Sequence, residues 1–115
     1  MITRIKSGPR MSQAVIHGNT VYLAGQVASD RSADVAGQTR EILAAIDGLL
    51  AEAGTDKTNL LAATIYLTDM NTFKEMNAVW DAWVAPGCAP ARATVGAPLA
   101  SSAYKVEIVV IAARN

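Results

Sequence analysis

The sequence predicts an α+β fold, an α/β sandwich in which a mixed β-sheet carries two helices on one face. Three observations lead there: a hairpin signal near the start, two separate stretches of helical apolar periodicity, and a closing strand that is apolar on both faces. The element order reads β-β-α-β-α-β-β across residues 1–115, a length that suits one domain.

Ala14-Val15-Ile16 and Val21-Tyr22-Leu23 are β-formers, and His17-Gly18-Asn19-Thr20 between them supplies a tight turn, so Gln13–Gly25 reads as a hairpin. A short polar loop, Ala28 to Ser32, leads to Ser32 or Asp34 as an N-cap. From Val35 the period becomes helical. Val35, Ile42, Ile46, Leu49, Leu50 and Ala53 share one face, and Gly54 sits where a terminating glycine belongs. Leu60–Leu67 is apolar, with a strand-like Thr64-Ile65-Tyr66-Leu67 end. A second helix should begin near Asp69-Met70-Asn71, bury Phe73, Met76, Trp80 and Val84, and stop at Pro86-Gly87. Two strands close the chain: a short one over Arg92–Ala97 and a long one over Tyr104–Ala113.

The composition narrows the function. Apolar residues make up 51% and charged residues 17%, against about 25% charged in a usual soluble domain. Such a chain can bury enough surface to order itself, which excludes disorder. Ten basic residues balance ten acidic ones without a Lys/Arg run, which argues against a general electrostatic grip on nucleic acid or an anionic membrane. One cysteine cannot form an internal disulfide, and with one histidine it cannot build a zinc site. The opening Met-Ile-Thr-Arg-Ile-Lys-Ser lacks the form of a signal peptide, and no apolar run approaches a membrane span. A soluble, cytoplasmic protein is expected.

Two charged side chains stand out on strands. In the last strand, alternation sets Val106, Ile108 and Val110 against Glu107, Val109 and Ile111. Glu107 is the only charge within that run. It needs a partner or a route to solvent, because desolvation disfavours a carboxylate. Arg92 begins the preceding strand, with Thr94 on its face. A guanidinium held on a strand is a rigid two-pronged donor for a carboxylate, or else half of a structural salt bridge to Glu107 or a helix C-terminus. Cys88 lies in Pro86-Gly87-Cys88-Ala89-Pro90 with no adjacent histidine, so it reads as a packed thiol. His17 sits at a turn and should be solvated, Trp80 should pack in the core, and Trp83 should be partly exposed or in a subunit contact. No phosphate-loop pattern occurs.

Taken together, these segments resemble the RidA/YjgF (Rid) family. The shared features are Gly8-Pro9, Ser12-Gln13-Ala14-Val15, Gly18 to Gln26, Gln38-Thr39, Ile65-Tyr66-Leu67-Thr68-Asp69, Phe73-Lys74-Glu75-Met76-Asn77, Pro90-Ala91-Arg92-Ala93-Thr94-Val95 and Val106-Glu107-Ile108. They run in order over nearly the whole chain. The resemblance implies a chorismate-mutase-like fold and homotrimers with a cleft at each subunit interface. It also implies hydrolysis of reactive 2-imino acids and their enamine tautomers to 2-keto acids and ammonia, with no cofactor and no metal. In that reading Arg92 and Glu107 are catalytic: Arg92 holds the substrate carboxylate, and Glu107 places or activates water. Gly25, Ala24, Met11, Asn77 and Thr94 complete the substrate-binding set with Arg92. The sequence departs from the family pattern at three of these places. Arg10-Met11 stands where a Tyr is usual, Ala24 replaces a Ser, and Thr94 replaces a Cys. The alternatives are a non-catalytic binder of small carboxylates and, with little support from the charge balance, a ribonuclease or translation inhibitor.

Overall fold

A computed structural model describes residues Met1–Asn115. Six strands form one mixed sheet: β1 (Ile2–Ile5), β2 (Ala14–His17), β3 (Thr20–Leu23), β4 (Leu60–Leu67), β5 (Ala91–Gly96) and β6 (Val106–Ala113). Their spatial order is β1-β2-β3-β6-β4-β5, with β4 and β5 parallel and every other neighbouring pair antiparallel. Helices α1 (Val35–Glu52) and α2 (Phe73–Trp83) supply the crossovers.

The expected hairpin is β2–β3, turned at Gly18, whose φ of 60° costs a residue without Cβ little. Asp34 is the N-cap of α1, its carboxylate accepting from Gly37 N at 2.8 Å. The second helix starts later than expected. Asp69 caps a single 3₁₀ turn over Met70–Thr72, accepting from Asn71 N at 2.9 Å, and α2 proper begins at Phe73. All of Leu60–Leu67 is strand, not only its second half.

One strand was not foreseen. Ile2–Ile5 pairs with β2 and extends the sheet at its edge. Three of its four residues are exposed and Arg4 interrupts its apolar pattern, so its periodicity is too weak to mark a strand. The free edge of β2 supplies the hydrogen bonds that define it.

The alternation in β6 is as expected. Val106, Ile108, Val110 and Ala112 are buried towards the helices, while Glu107, Val109 and Ile111 are half-buried on the other face. The apolar core is a single cluster between sheet and helices, filled by residues such as Ile42, Ile46, Leu50, Ile65, Met76 and Ile108. Inside it Gln38 is fully buried and satisfied. Its amide donates to Ala33 O (3.2 Å) and Ala103 O (3.0 Å) and accepts from Lys105 N (2.9 Å), tying α1 to the segment before β6. No helix is long and apolar enough to cross a membrane.

Candidate functional site

Strand pairing decides which face each candidate occupies. In the parallel pair, Arg92 lies beside Ala63, Thr94 beside Ile65 and Gly96 beside Leu67, all three partners being buried towards the helices. Arg92 and Thr94 therefore face α2. Glu107 lies beside Tyr66, and Val109 beside Thr64, on the face that carries no helix. The two charged residues thus sit on opposite faces, with β4 between their strands. They are also three positions apart along β4, which amounts to about 10 Å across the sheet and about 10 Å along it. The salt bridge between them that the sequence allowed is not formed; the chain's one ion pair is Lys6–Glu52 at 3.2 Å. Nor do they stand side by side within the chain.

Two clusters result. The first lies between α2 and β5, which run antiparallel, so that steps back along the helix match steps forward along the strand. Arg92 lies over Trp80, its guanidinium carbon 5.3 Å from the ring centroid. At the far end Met70 touches the space beside Gly96. Between these contacts come Asn77 and Thr94, and Asn77 Oδ1 and Thr94 Oγ1 are both buried without a hydrogen-bond partner. Orphaned buried oxygens are uncommon and call for a group to satisfy them. This cluster therefore offers a half-buried cation, free of any anionic partner within the chain.

The second cluster is on the open face. Segment Ala24–Gln26 runs beside the start of β6, fixed by the reciprocal bonds Gln26 N to Ile108 O (2.9 Å) and Ile108 N to Gln26 O (3.1 Å). A Cβ on Gly25 would lie 2.1 Å from Glu107 Oε2, so only glycine lets the carboxylate lie across this backbone. Glu107 also lines a cleft of about 330 Å³ with Tyr66, Val109 and the Ala97-Pro98-Leu99 loop. A larger groove of about 660 Å³ lies between the two helices, but it contains none of the candidate residues.

The expected residues thus divide between two places: Arg92, Thr94 and Asn77 in one, Glu107, Gly25 and Ala24 in the other. Met11 is about half exposed in the turn before β2, where its carbonyl accepts from Gly8 N at 2.8 Å, on the Gly25 side of the sheet and remote from Arg92. His17 is exposed and Cys88 half-buried, as their surroundings in sequence suggested. Sequence reasoning assigned Trp80 to the core and missed its contact with Arg92. The signal was the β4–α2–β5 crossover, which lays α2 along β5. It also missed Tyr66 and the loop after β5. No group of three or more His, Cys, Asp or Glu side chains is placed to hold a metal ion. The carboxylates held below their ordinary pKa lie elsewhere. Asp30 is lowered chiefly by the Ser32 hydroxyl, Glu41 by the Ser29 amide and Asp56 by the Thr58 hydroxyl.

Comparison with known proteins agrees with this architecture. A RutC family protein of Haemophilus ducreyi is 49% identical over 115 residues, covering 100% of this chain and 98% of the relative. The crystal structure of a YjgF family member from Neisseria meningitidis superposes with a TM-score of 0.97 at 45% identity, covering 100% of this chain and 96% of the other. A rat protein named 2-iminobutanoate/2-iminopropanoate deaminase is 31% identical over 110 residues, covering 90% of this chain and 80% of the rat protein. The family profile described as Endoribonuclease L-PSP matches residues 1–114, and with it the chain belongs to the RidA/YjgF family.

Proposed function

We propose that this protein hydrolyses reactive 2-imino acids and their enamine tautomers to 2-keto acids and ammonia, at clefts shared between copies of the chain in a homotrimer. The observation that carries the reading is Arg92, a half-buried guanidinium without an anionic partner in its own chain. A planar carboxylate satisfies such a fork through two parallel hydrogen bonds. The name of the rat relative supports the substrate class.

Opposite faces make the second copy necessary to the proposal. A four-carbon imino acid cannot reach from Arg92 to Glu107 through the sheet. A cleft in which Arg92 of one copy meets Glu107 of the next joins two different surfaces, and such heterologous contacts close into rings when the rotation permits. The half-exposed apolar face around Val109 and Ile111 is suited to that contact. The cytoplasm is the proposed location.

In the proposed reaction Arg92 anchors the carboxylate and holds the C=N carbon near a water. With the imine protonated at nitrogen, Glu107 takes a proton from that water as its oxygen bonds to the carbon and the C=N π pair moves to nitrogen, giving a neutral carbinolamine. The same proton then passes from Glu107 to nitrogen, the C–N bond breaks with its electron pair leaving on ammonia, and the C=O forms as the hydroxyl gives its proton to the Glu107 carboxylate, which releases it to ammonia. General acid–base help of this kind supplies about 10²–10⁴-fold.

A second reading, a binder of small carboxylates without catalysis, draws on the changes at Met11, Ala24 and Thr94. One experiment separates the two. 2-Iminobutanoate is generated in place by an amino-acid oxidase, and its capture by semicarbazide is followed with and without the protein. We expect faster loss of imine, and a drop of about 100-fold in kcat/KM for Arg92→Ala. Unchanged imine decay despite measurable 2-oxobutanoate binding would favour the binder. Sedimentation of a stable monomer at micromolar concentration would remove the shared cleft.

A further inference from the structure

We propose that Trp80 is a positioning residue for Arg92: its buried indole face fixes the plane of the guanidinium so that the fork presents its edge to a carboxylate. The inference rests on the reading of Arg92 as a carboxylate anchor. Trp80 is 4% exposed and has the Arg92 guanidinium carbon 5.3 Å from its ring centroid, within the range of cation–π attraction. Stacking uses the faces of the guanidinium and leaves its five in-plane N–H donors free. A carboxylate partner from the same chain would have occupied that edge, whereas an aromatic one holds the side chain and keeps the edge open.

Trp80 has a second neighbour, which is aromatic. The ring of Trp83 stands 5.3 Å away, tilted by 52°. Trp83 Nε1 donates to Asp47 Oδ2 at 3.0 Å, and Lys57 Nζ lies 5.1 Å from the centroid of the Trp83 ring while donating to Trp83 O at 2.5 Å. The indole pair is therefore anchored on α1 and on the turn before β4, and Arg92 rests on its inner member. A long side chain on an edge strand would otherwise lose rotamer freedom each time it bound ligand. Arg92 on this platform is already ordered.

The test compares Trp80→Phe with Trp80→Met. Both remove similar bulk, but only Phe keeps a π face, so a difference between them reports the platform and not packing. Dissociation constants are measured for 2-oxobutanoate and for its uncharged amide, together with KM and kcat for the imine. We expect W80M to weaken acid binding about 5- to 30-fold and to raise KM with little change in kcat, leaving amide binding unchanged. W80F should recover most of the loss. Equal weakening in the two variants, or an acid-to-amide ratio in W80M like that of the wild type, would overturn the proposal. Arg92→Ala keeps the premise separate: if it retains the preference for acid over amide, the anchor assignment fails first. Should W80M not fold, Trp83→Phe leaves Trp80 as the only tryptophan. Its emission should then shift on saturation with the acid and not with the amide, and an unmoved spectrum counts against the platform.

Discussion

Gly25→Ala tests the acid half of the proposed site without touching the acid. The new methyl carbon would lie 2.1 Å from Glu107 Oε2, 2.9 Å from Cδ and 3.2 Å from Cγ. Ordinary non-bonded contacts between heavy atoms begin near about 3.5 Å, so the carboxylate must retreat by more than about 1 Å. It can do so. Glu107 is half-buried on a face open to solvent, and an off-rotamer side chain costs about 0.5–1.5 kcal/mol. The backbone at Gly25 needs no unusual φ, so the fold should survive with a modest fall in Tm. Catalysis should not survive so well. A misplacement of about 1 Å in a reacting group is enough to cost about 100-fold. The expected result is therefore a kcat on 2-iminobutanoate about 100-fold lower, with 2-oxobutanoate binding through Arg92 intact. Because the displaced carboxylate is already out of reach, adding Glu107→Gln to Gly25→Ala should cost little more, a non-additive pair. A Gly25→Ala protein with wild-type kcat, or losses that multiply in the double variant, would refute this role for the Glu107 carboxylate.

Further expectations come from other parts of the molecule. Gln38→Leu would orphan Ala103 O and Lys105 N and leave Ala33 O with Lys105 Nζ as its one donor, lowering stability by about 3 kcal/mol in urea unfolding; a loss below about 1 kcal/mol would show that water or relaxation replaces those bonds. Glu41 accepts from the amides of Ser29 and Asp30, which hold its carboxyl below the usual 4.5. The stabilisation is therefore present above pH 4.5 and lost as pH falls through the lower folded value. An NMR titration of the Glu41 carboxyl should give a midpoint under 4.5, and one at or above it contradicts the assignment. Val109→Asp places a charge on the open face of β6, and in sedimentation it should yield monomers with wild-type circular dichroism if that face joins the copies.

The sequence carried the fold well because its signals are local. The turn at Gly18-Asn19, the cap at Asp34, the period of α1 and the two-sided apolarity of β6 each follow from a few neighbouring residues. Ile2–Ile5 could not be read that way, since an exposed four-residue edge strand exists through its partner. Which candidates share a face was legible strand by strand, and how the strands bring those faces together was not. Alternation correctly set Thr94 with Arg92, and Val109 and Ile111 with Glu107. It could not say which face of β5 matched which face of β6, because that depends on β4 lying between them and on the parallel register Ala63–Arg92. The long-range pairing, absent from any local pattern, is what separates Arg92 from Glu107.

That separation also bears on the low charge of the chain. Across the helix-free face of β6, β4 and β5, the residues in register with Glu107, Val109 and Ile111 are Tyr66, Thr64 and Ala62 on β4, and Val95, Ala93 and Ala91 beyond them. Glu107 is the only acidic or basic residue among these nine. Val95 is 41% exposed in the isolated chain, and Ala91 and Ala93 are exposed. When one face of a sheet is solvated, strand alternation ordinarily places polar residues on it, and this face is mostly apolar. Its small side chains favour close approach of another sheet, and its single carboxylate would then be carried into an interface with no cation of its own chain on that side. An uncompensated buried carboxylate is costly, so a second chain that covers this face must bring a cation, a hydrogen-bond donor or a ligand to Glu107. Arg92, on the opposite face of the edge strand and unpaired, is suited to bring such a ligand by its carboxylate. The apolar surface and the two isolated charges thus belong to one arrangement, in which Glu107 lies within the helix-free face and Arg92 on the opposite face of the same sheet.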